Sequence, residues 1–386
     1  MGGTRRQNGE GSIFQVSENK WVAKISLGTK PDGSTKIKQF SGKTEAIVKK
    51  KLRDFKKSTS FSKKHAPSNL TVHLYFSNWL CNYKYNKLKP SSYDRLESTV
   101  VNHIFPSIGG LKIHSVTRDD IQILINQLYN EKKLSFSSVK KVYVALNSCF
   151  NHALMDEAMS KNPCVGIVLP SASDRTKQIS SLGEEEIKLL KKEVAGLNAE
   201  GEPLYYYGYA YLLILNTGLR MGEALSLTWE DVDLKNKTIT VSKNSILTKK
   251  RDASGNKTGG CELQIQNSTK TSSGNRTIPI NQSAMEALLK LKHGNSTEYV
   301  ISNSRHKSVL PSNFERTFFL ILKNAGIEKH YGVHALRHTF ASMLFSKGVD
   351  VKIVSRLLGH SSVKITYDTY VHLFESDIKG ITCVLD

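Results

Sequence analysis

Apolar positions along this chain fall into successive rhythms. Near the start, Trp21, Ala23, Ile25 and Leu27 alternate with polar residues, the period of a half-buried strand. Gly11 to Val16 alternates more weakly and Lys36 to Phe40 supplies a third run, with a turn signal at Lys30-Pro-Asp-Gly-Ser34. Thr44 then opens a helix that is basic from Lys49 to Arg53. The pattern predicts a small module of three strands and a helix around Trp21, with Lys24, Lys36 and Lys38 on one outward strand face.

Ser58 to Ser68 is polar and reads as a linker. From Asn69 to about Met159 the rhythm is helical. Val72, Tyr75, Phe76, Trp79, Leu80 and Tyr83 share one face. A second helix starts at Pro90 or Ser91 and runs toward Phe105, with Pro106 behind it. Thr117-Arg-Asp-Asp120 has the form of a capping box and leads into Ile121, Leu124, Ile125 and Leu128. Val139, Val142, Tyr143, Leu146, Cys149, Phe150 and Leu154 make a long stripe. These stripes read as core, and four such helices suffice for a domain. Asn162 to Leu182 carries two prolines and a polar run, which marks a boundary. Beyond it the chain is mainly helical, with one strand-rich interruption from about Thr238 to Ile280.

Composition sharpens the picture. The 386 residues suit two or three domains, and 39% hydrophobic residues can build real cores. The charge balance is 55 − 34 = +21, which favours a polyanionic partner. No apolar run approaches the ~20 residues of a membrane span, and Met1 to Asn19 lacks the apolar stretch of a signal peptide. Nucleic acid is therefore expected rather than a membrane. Residues 1–67 carry sixteen Lys/Arg against five Asp/Glu, 16 − 5 = +11, so the N-terminus is its own electrostatic unit. Arg5, Arg6, Lys24, Lys36 and Lys38 are candidate phosphate contacts there, and Lys132, Lys133, Lys140 and Lys141 form a second basic patch. Five scattered cysteines without a C-x-x-C pair read as buried or free thiols in a reducing cytoplasm.

Two C-terminal segments concentrate chemistry: Gly332-Val-His-Ala-Leu-Arg-His338, and Leu357-Leu-Gly-His-Ser-Ser-Val-Lys-Ile-Thr-Tyr-Asp-Thr-Tyr-Val-His372. Both place histidine, arginine or tyrosine beside helix ends, where N–H groups and cations can hold a phosphate. Neither holds the carboxylate cluster of a metal nuclease. His334 and Arg337 share a helix face and are expected to project away from the core face of Leu336, Phe340, Met343 and Leu344. His338 completes no metalloprotease pattern, because Ala335 stands where the glutamate would be. Asp350 caps a helix that Gly359 ends, with His360 just past it. Tyr370 follows ten residues on, and nearby arginines are expected to favour its phenolate; Tyr367 is the rival nucleophile. Upstream, Arg220 sits between a buried helix ending at Gly218 and the next helix, a rigid base for gripping phosphate oxygens. Lys270 precedes a Ser-Ser-Gly-Asn turn, where a mobile lysine could deliver a proton.

Arg220, Lys270, His334-x-x-Arg337, Leu-Gly-His360 and Tyr370, with the ending Thr366 to His372, resemble the tyrosine recombinase (phage integrase) family in order and approximate spacing. The chain looks like integrases of conjugative transposons, and the stretch from Leu247 to Glu262 is similar to that subgroup's β-insertion.

The resemblance implies a multidomain, mainly α fold. A small β-rich N-terminal arm-type DNA-binding module occupies 1–66 and a four-helix core-binding domain 67–165. A linker at 166–180 leads to a mixed, mostly α catalytic domain with a β-sheet insertion at 181–386. It implies a site-specific recombinase that integrates and excises a mobile element through a 3′-phosphotyrosine and a Holliday junction. Arg220 and Arg337 would clamp the phosphate, with Glu223 as buttress. Lys270 would be the acid, or Lys249 or Lys250 in its place. His334 would help deprotonate Tyr370 or orient the phosphate, His360 would bind a phosphate oxygen, and Tyr370 would attack. No metal or other cofactor is expected. The partners are double-stranded DNA at core-type and arm-type sites, three further protomers in a tetramer, an excisionase and a host DNA-bending protein. The place of action is the bacterial cytoplasm, on the nucleoid. The segment after His372 would dock on a neighbour. The alternatives are type IB topoisomerase-like nicking and closing, or a non-catalytic DNA-binding protein.

Overall fold

The computed structural model describes residues 12–17, 20–29, 35–60, 70–171, 180–252, 255–267, 274–303, 305 and 307–374. For 25–29, 35–36, 54–60, 267 and 371–374 it describes the backbone alone. The chain divides into two units: one of residues 1–80 and 98–171, the other of 81–97 and 172–386.

In the first unit, strands β1 (Ser12–Ser17), β2 (Lys20–Thr29) and β3 (Thr35–Gly42) pair antiparallel in chain order. Helix α1 (Glu45–Ser60) contributes Val48 and Leu52, which bury against Ala23 with Ile13, Trp21 and Phe40 alongside. The register corrects the expected lysine face. Lys24 lies opposite Gln39, whereas Lys38 lies opposite Ile25. Antiparallel partners share a face and successive residues alternate, so Lys24 is on the opposite side of the sheet from Lys38. Lys24 instead covers the Phe14 ring, 5.5 Å from its centre.

Helix α2 (Val72–Trp79) starts at a Thr71 cap. Helix α3 (Pro90–Thr99) runs on through residues 100–104 into α4 (Phe105–Ile108). Pro106 does not interrupt it; it is the second residue of α4, directly after the wider turn of residues 100–104, in which the Phe105 N–H bonds the Val100 carbonyl. Helix α5 (Arg118–Asn130) carries the capping box, Thr117 N–H donating to Asp120 at 2.8 Å. Helix α6 (Phe136–Met155) buries Val139, Val142, Leu146, Cys149 and Phe150. Lys132, Lys133, Lys140 and Lys141 are all exposed around its start.

The second unit is built on α7 (Glu184–Val194), α8 (Gly208–Thr217) and the short α9 (Met221–Leu225). Seven of the ten α8 residues are buried, as an all-apolar helix requires. Strands β4 (Val232–Asp233), β5 (Thr238–Val241) and β8 (Arg276–Pro279) form one sheet. Between β5 and β8 the chain leaves as a separate hairpin, β6 (Lys243–Arg251) and β7 (Lys257–Asn267). Helices α10 (Gln282–Lys292), α11 (Pro311–Asn324), α12 (His334–Phe345), α13 (Val351–Leu358) and α14 (Val363–Phe374) follow. None of the described helices is long and apolar enough to cross a membrane.

The hairpin is tied to the 81–97 segment of its own unit. The Arg251 guanidinium pairs with Asp94 and, at 2.8 Å, with Glu97, and lies 4.6 Å over the Tyr93 ring. Burial alone would raise the Glu97 carboxyl, but Arg251 and Lys257 outweigh it and hold the group at about 2. Lys249 is drawn into the same cluster, 3.5 Å from Glu97, and Lys250 is exposed on the hairpin.

Candidate active site

Four helix ends and one strand deliver the site. Helix α8 stops at Gly218, whose φ of +65° is the left-handed conformation that glycine takes without strain. That turn places Arg220 as the N-cap of α9. Glu223, one turn on, accepts from the Arg220 backbone N–H at 2.9 Å and from its guanidinium at 2.7 Å. A second guanidinium nitrogen of Arg220 donates to the Gly359 carbonyl at 3.1 Å, tying α9 to the end of α13.

Glu223 is also held from the far side. Arg276 of β8 donates to both carboxylate oxygens, at 3.1 and 2.7 Å, and to the Leu357 carbonyl at 2.6 Å. Burial opposes the charge on Glu223, yet Arg276 and Arg220 together hold its carboxyl near 2. The sequence points to the supporting role of Glu223 but not to Arg276, whose partner lies 53 residues away. The signal was an arginine at the mouth of the strand that follows the Lys270 stretch.

Arg337 does not project away from the core. It is 1% exposed, and its guanidinium donates to the Gly218 carbonyl at 2.7 Å and the Leu358 carbonyl at 2.6 Å. It closes the ends of α8 and α13 onto α12, because those two C-terminal carbonyls have no helical partner of their own. Burial, with the Arg220 charge beside it, draws its guanidinium down to about 9, still cationic near neutrality.

Arg220, His334, Arg337 and His360 line one cavity of about 670 Å³, together with Glu223 and His338. His334 is depressed, first by burial and then by Arg337 and Arg220. His360 bonds Thr366 Oγ1 through Nδ1 at 2.7 Å and is lowered to about 4, mainly by burial. Both imidazoles are therefore neutral at neutral pH.

Tyr370 is 1% exposed in a small cluster with Phe340, Phe345 and Leu358. The expected phenolate is not what this environment favours. Burial outweighs the attraction of Arg337 and raises the phenol to about 12. Its Oη bonds His338 Nδ1 at 2.7 Å. Tyr367, the rival, is exposed. The sequence sets His338 aside once its metal pattern fails; its contact with Tyr370 crosses from α12 to α14, which no spacing within one segment reveals.

Lys270, Arg5 and Arg6 lie outside the described residues, as does the side chain of Lys36 and the segment beyond residue 374. Among the described residues no group of His, Cys, Asp and Glu is arranged to hold a metal ion.

Residues 180–377 match the model of the phage integrase family, and residues 71–129 match the N-terminal SAM-like domain of phage integrases. A tyrosine recombinase XerC-like protein of Caldanaerobacter subterraneus is 30% identical over 90% of this chain and 91% of its own length. The ICEBs1 integrase of Bacillus subtilis is 25% identical over 77% of this chain and 78% of its own. Among solved structures, the Tn1549 transposon integrase in complex with a circular intermediate DNA shares the fold with a TM-score of 0.62. It is 21% identical and covers 80% of this chain and 99% of that one.

Proposed function

The chain belongs to the phage integrase family of tyrosine recombinases, and from that premise we propose that it integrates and excises a mobile DNA element by site-specific strand exchange. The observation that carries this is the gathering of Arg220, His334, Arg337 and His360 around one cavity, with Tyr370 one hydrogen bond beyond its wall.

In this reading the cavity takes the scissile phosphate. Arg220 and Arg337 stabilise the charge that grows on its non-bridging oxygens, worth far more in a water-poor cavity than in solvent. Glu223 and Arg276 keep Arg220 in place, so the cation is oriented before DNA arrives. Neutral His334 and His360 offer hydrogen bonds to the phosphate without adding charge. Tyr370 Oη attacks phosphorus as the bond to the 5′-oxygen breaks. Lys270 protonates the departing 5′-oxygen, which leaves as a hydroxyl, and the 3′-phosphotyrosine stores the bond energy for rejoining to a partner strand.

Residues 1–66 would hold arm-type sites, 67–165 would hold core-type sites with Lys132, Lys133, Lys140 and Lys141 on the backbone, and 181–386 would cut, with 166–180 joining them. Lys24, Lys36, Lys38, Arg5 and Arg6 would contact phosphates from more than one surface of the arm module. Four protomers on two duplexes, an excisionase and a host DNA-bending protein would complete the assembly, in the cytoplasm on the nucleoid.

The test is a nicked suicide substrate that traps the covalent adduct. Wild type and Tyr367→Phe should form it, and Tyr370→Phe should bind DNA without doing so. An adduct with Tyr370→Phe and none with Tyr367→Phe would refute the assignment. Two differently labelled duplexes should yield joined products; relaxation of supercoils without joining would replace recombination by nicking and closing.

A further inference from the structure

We infer that His338 takes the proton from Tyr370 Oη during strand cleavage and returns it during rejoining, an inference that rests on Tyr370 as nucleophile. The geometry is direct. His338 lines the phosphate cavity and holds the tyrosine oxygen at 2.7 Å through Nδ1. His334, four residues back on α12, meets the His338 ring edge-on at 4.8 Å. The other imidazole near the reaction, His360, spends its Nδ1 on Thr366 Oγ1. Phe345 packs against the tyrosine ring, 5.4 Å between centres, in the buried cluster that holds it.

The protonation states suit the role. Burial first, then His334 and Arg337, lowers His338 to about 4, so the ring is neutral near neutrality. A neutral imidazole with its hydrogen on Nε2 leaves Nδ1 free to accept from the phenol O–H. A buried phenol near 12 cannot shed its proton to bulk water at neutral pH and needs an acceptor in contact. The titratable groups around His338 are His334, Arg337, His360 and Tyr370, and of these Arg337 carries the charge near neutrality. Arg337 is the cation among them that a bound phosphate would neutralise. DNA binding would thus lift part of the field that depresses His338 and raise its basicity when the phosphate is present.

The step balances. The Oη–H bond breaks toward Nδ1, the Oη–P bond forms, and the P–O5′ bond breaks with the 5′-oxygen protonated by Lys270. In rejoining, a 5′-hydroxyl attacks phosphorus and gives its proton to the now neutral Lys270 as the P–O5′ bond forms, the P–Oη bond breaks, and the imidazolium returns its proton to Oη.

The experiment measures adduct formation under single-turnover conditions with full-length protein. It uses two substrates: ordinary DNA, and DNA with a bridging 5′-sulfur at the scissile bond, whose thiolate leaves without an acid. His338→Asn keeps an acceptor near the position of Nδ1 but cannot take a proton. It should bind DNA as wild type does and lose about 100-fold in adduct rate on both substrates. His338→Ala should be slow and should recover with added imidazole. A His338→Asn rate within about threefold of wild type, a defect cured by the 5′-sulfur, or an alanine variant indifferent to imidazole would each overturn the inference. Tyr370→Phe is run alongside, and an adduct there would instead remove the nucleophile assignment itself.

Discussion

Replacing Glu223 by glutamine tests whether the arginine framework is held by charge. The carboxylate is 5% exposed and accepts from Arg220 and from both terminal nitrogens of Arg276, itself 5% exposed at the side chain. Its carboxyl falls from 4.5 to about 2 on folding. A depressed carboxylate pKa means that stability is present above the unfolded value and lost as pH falls toward the folded one. At about 1.4 kcal/mol per unit, the contribution near neutrality is on the order of 3 kcal/mol. About two-thirds of that should be gone near pH 3, because the unfolded carboxyl is by then protonated while the folded one is still charged. Glu223→Gln should therefore lower unfolding stability by about 3 kcal/mol near pH 7 and by only about 1 near pH 3, read from urea midpoints and slopes. DNA cleavage should fall as well, because Arg220 loses the partner that fixes its fork. A loss that is the same at both pH values, or below about 1 kcal/mol near neutrality, would show that the pair does not stabilise by charge.

Gly218→Ala should cost on the order of 2 kcal/mol, because its φ is +65° and a Cβ would stand 2.4 Å from Phe340 Cδ1. Adduct formation should fall with it, since Arg220 and the Arg337 acceptor both hang on that turn; unchanged thermal midpoint and cleavage would count against it. Arg251→Ala should destabilise by about 2 kcal/mol, below the range for a fully buried pair because Lys249 and Lys257 stay near Glu97. Glu97 is depressed in the fold, so this loss should be present above about pH 4.5 and shrink below it. Urea midpoints at two pH values check this, and a pH-independent loss would refute it.

Much of the architecture was legible in the chain because local rules decide it. The Thr117–Asp120 box, the Gly218 and Gly359 stops and the Asp350 cap lie within a few residues of what they bond. Strand alternation around Trp21 and the apolar run of α8 follow from period alone. Arg220, His334 and His360 were legible for the same reason: each sits at a helix end that its neighbours specify. Lys24 and Lys38 of the N-terminal sheet show the limit. Their facing depends on which residue pairs with which across strands, and the register put Lys24 on the opposite side.

By itself, then, the sequence determined the order of elements, the excess of positive charge and the set of arginines, histidines and tyrosine that chemistry would draw on. Tertiary structure alone decided their states. It set Arg276 against Glu223 across 53 residues and Arg337 against Gly218 across 119. It kept Tyr370 a neutral phenol on His338, because burial there outweighs the pull of Arg337. Ionisation depends on distance and desolvation, and both are fixed by helices that meet in space after long separation along the chain.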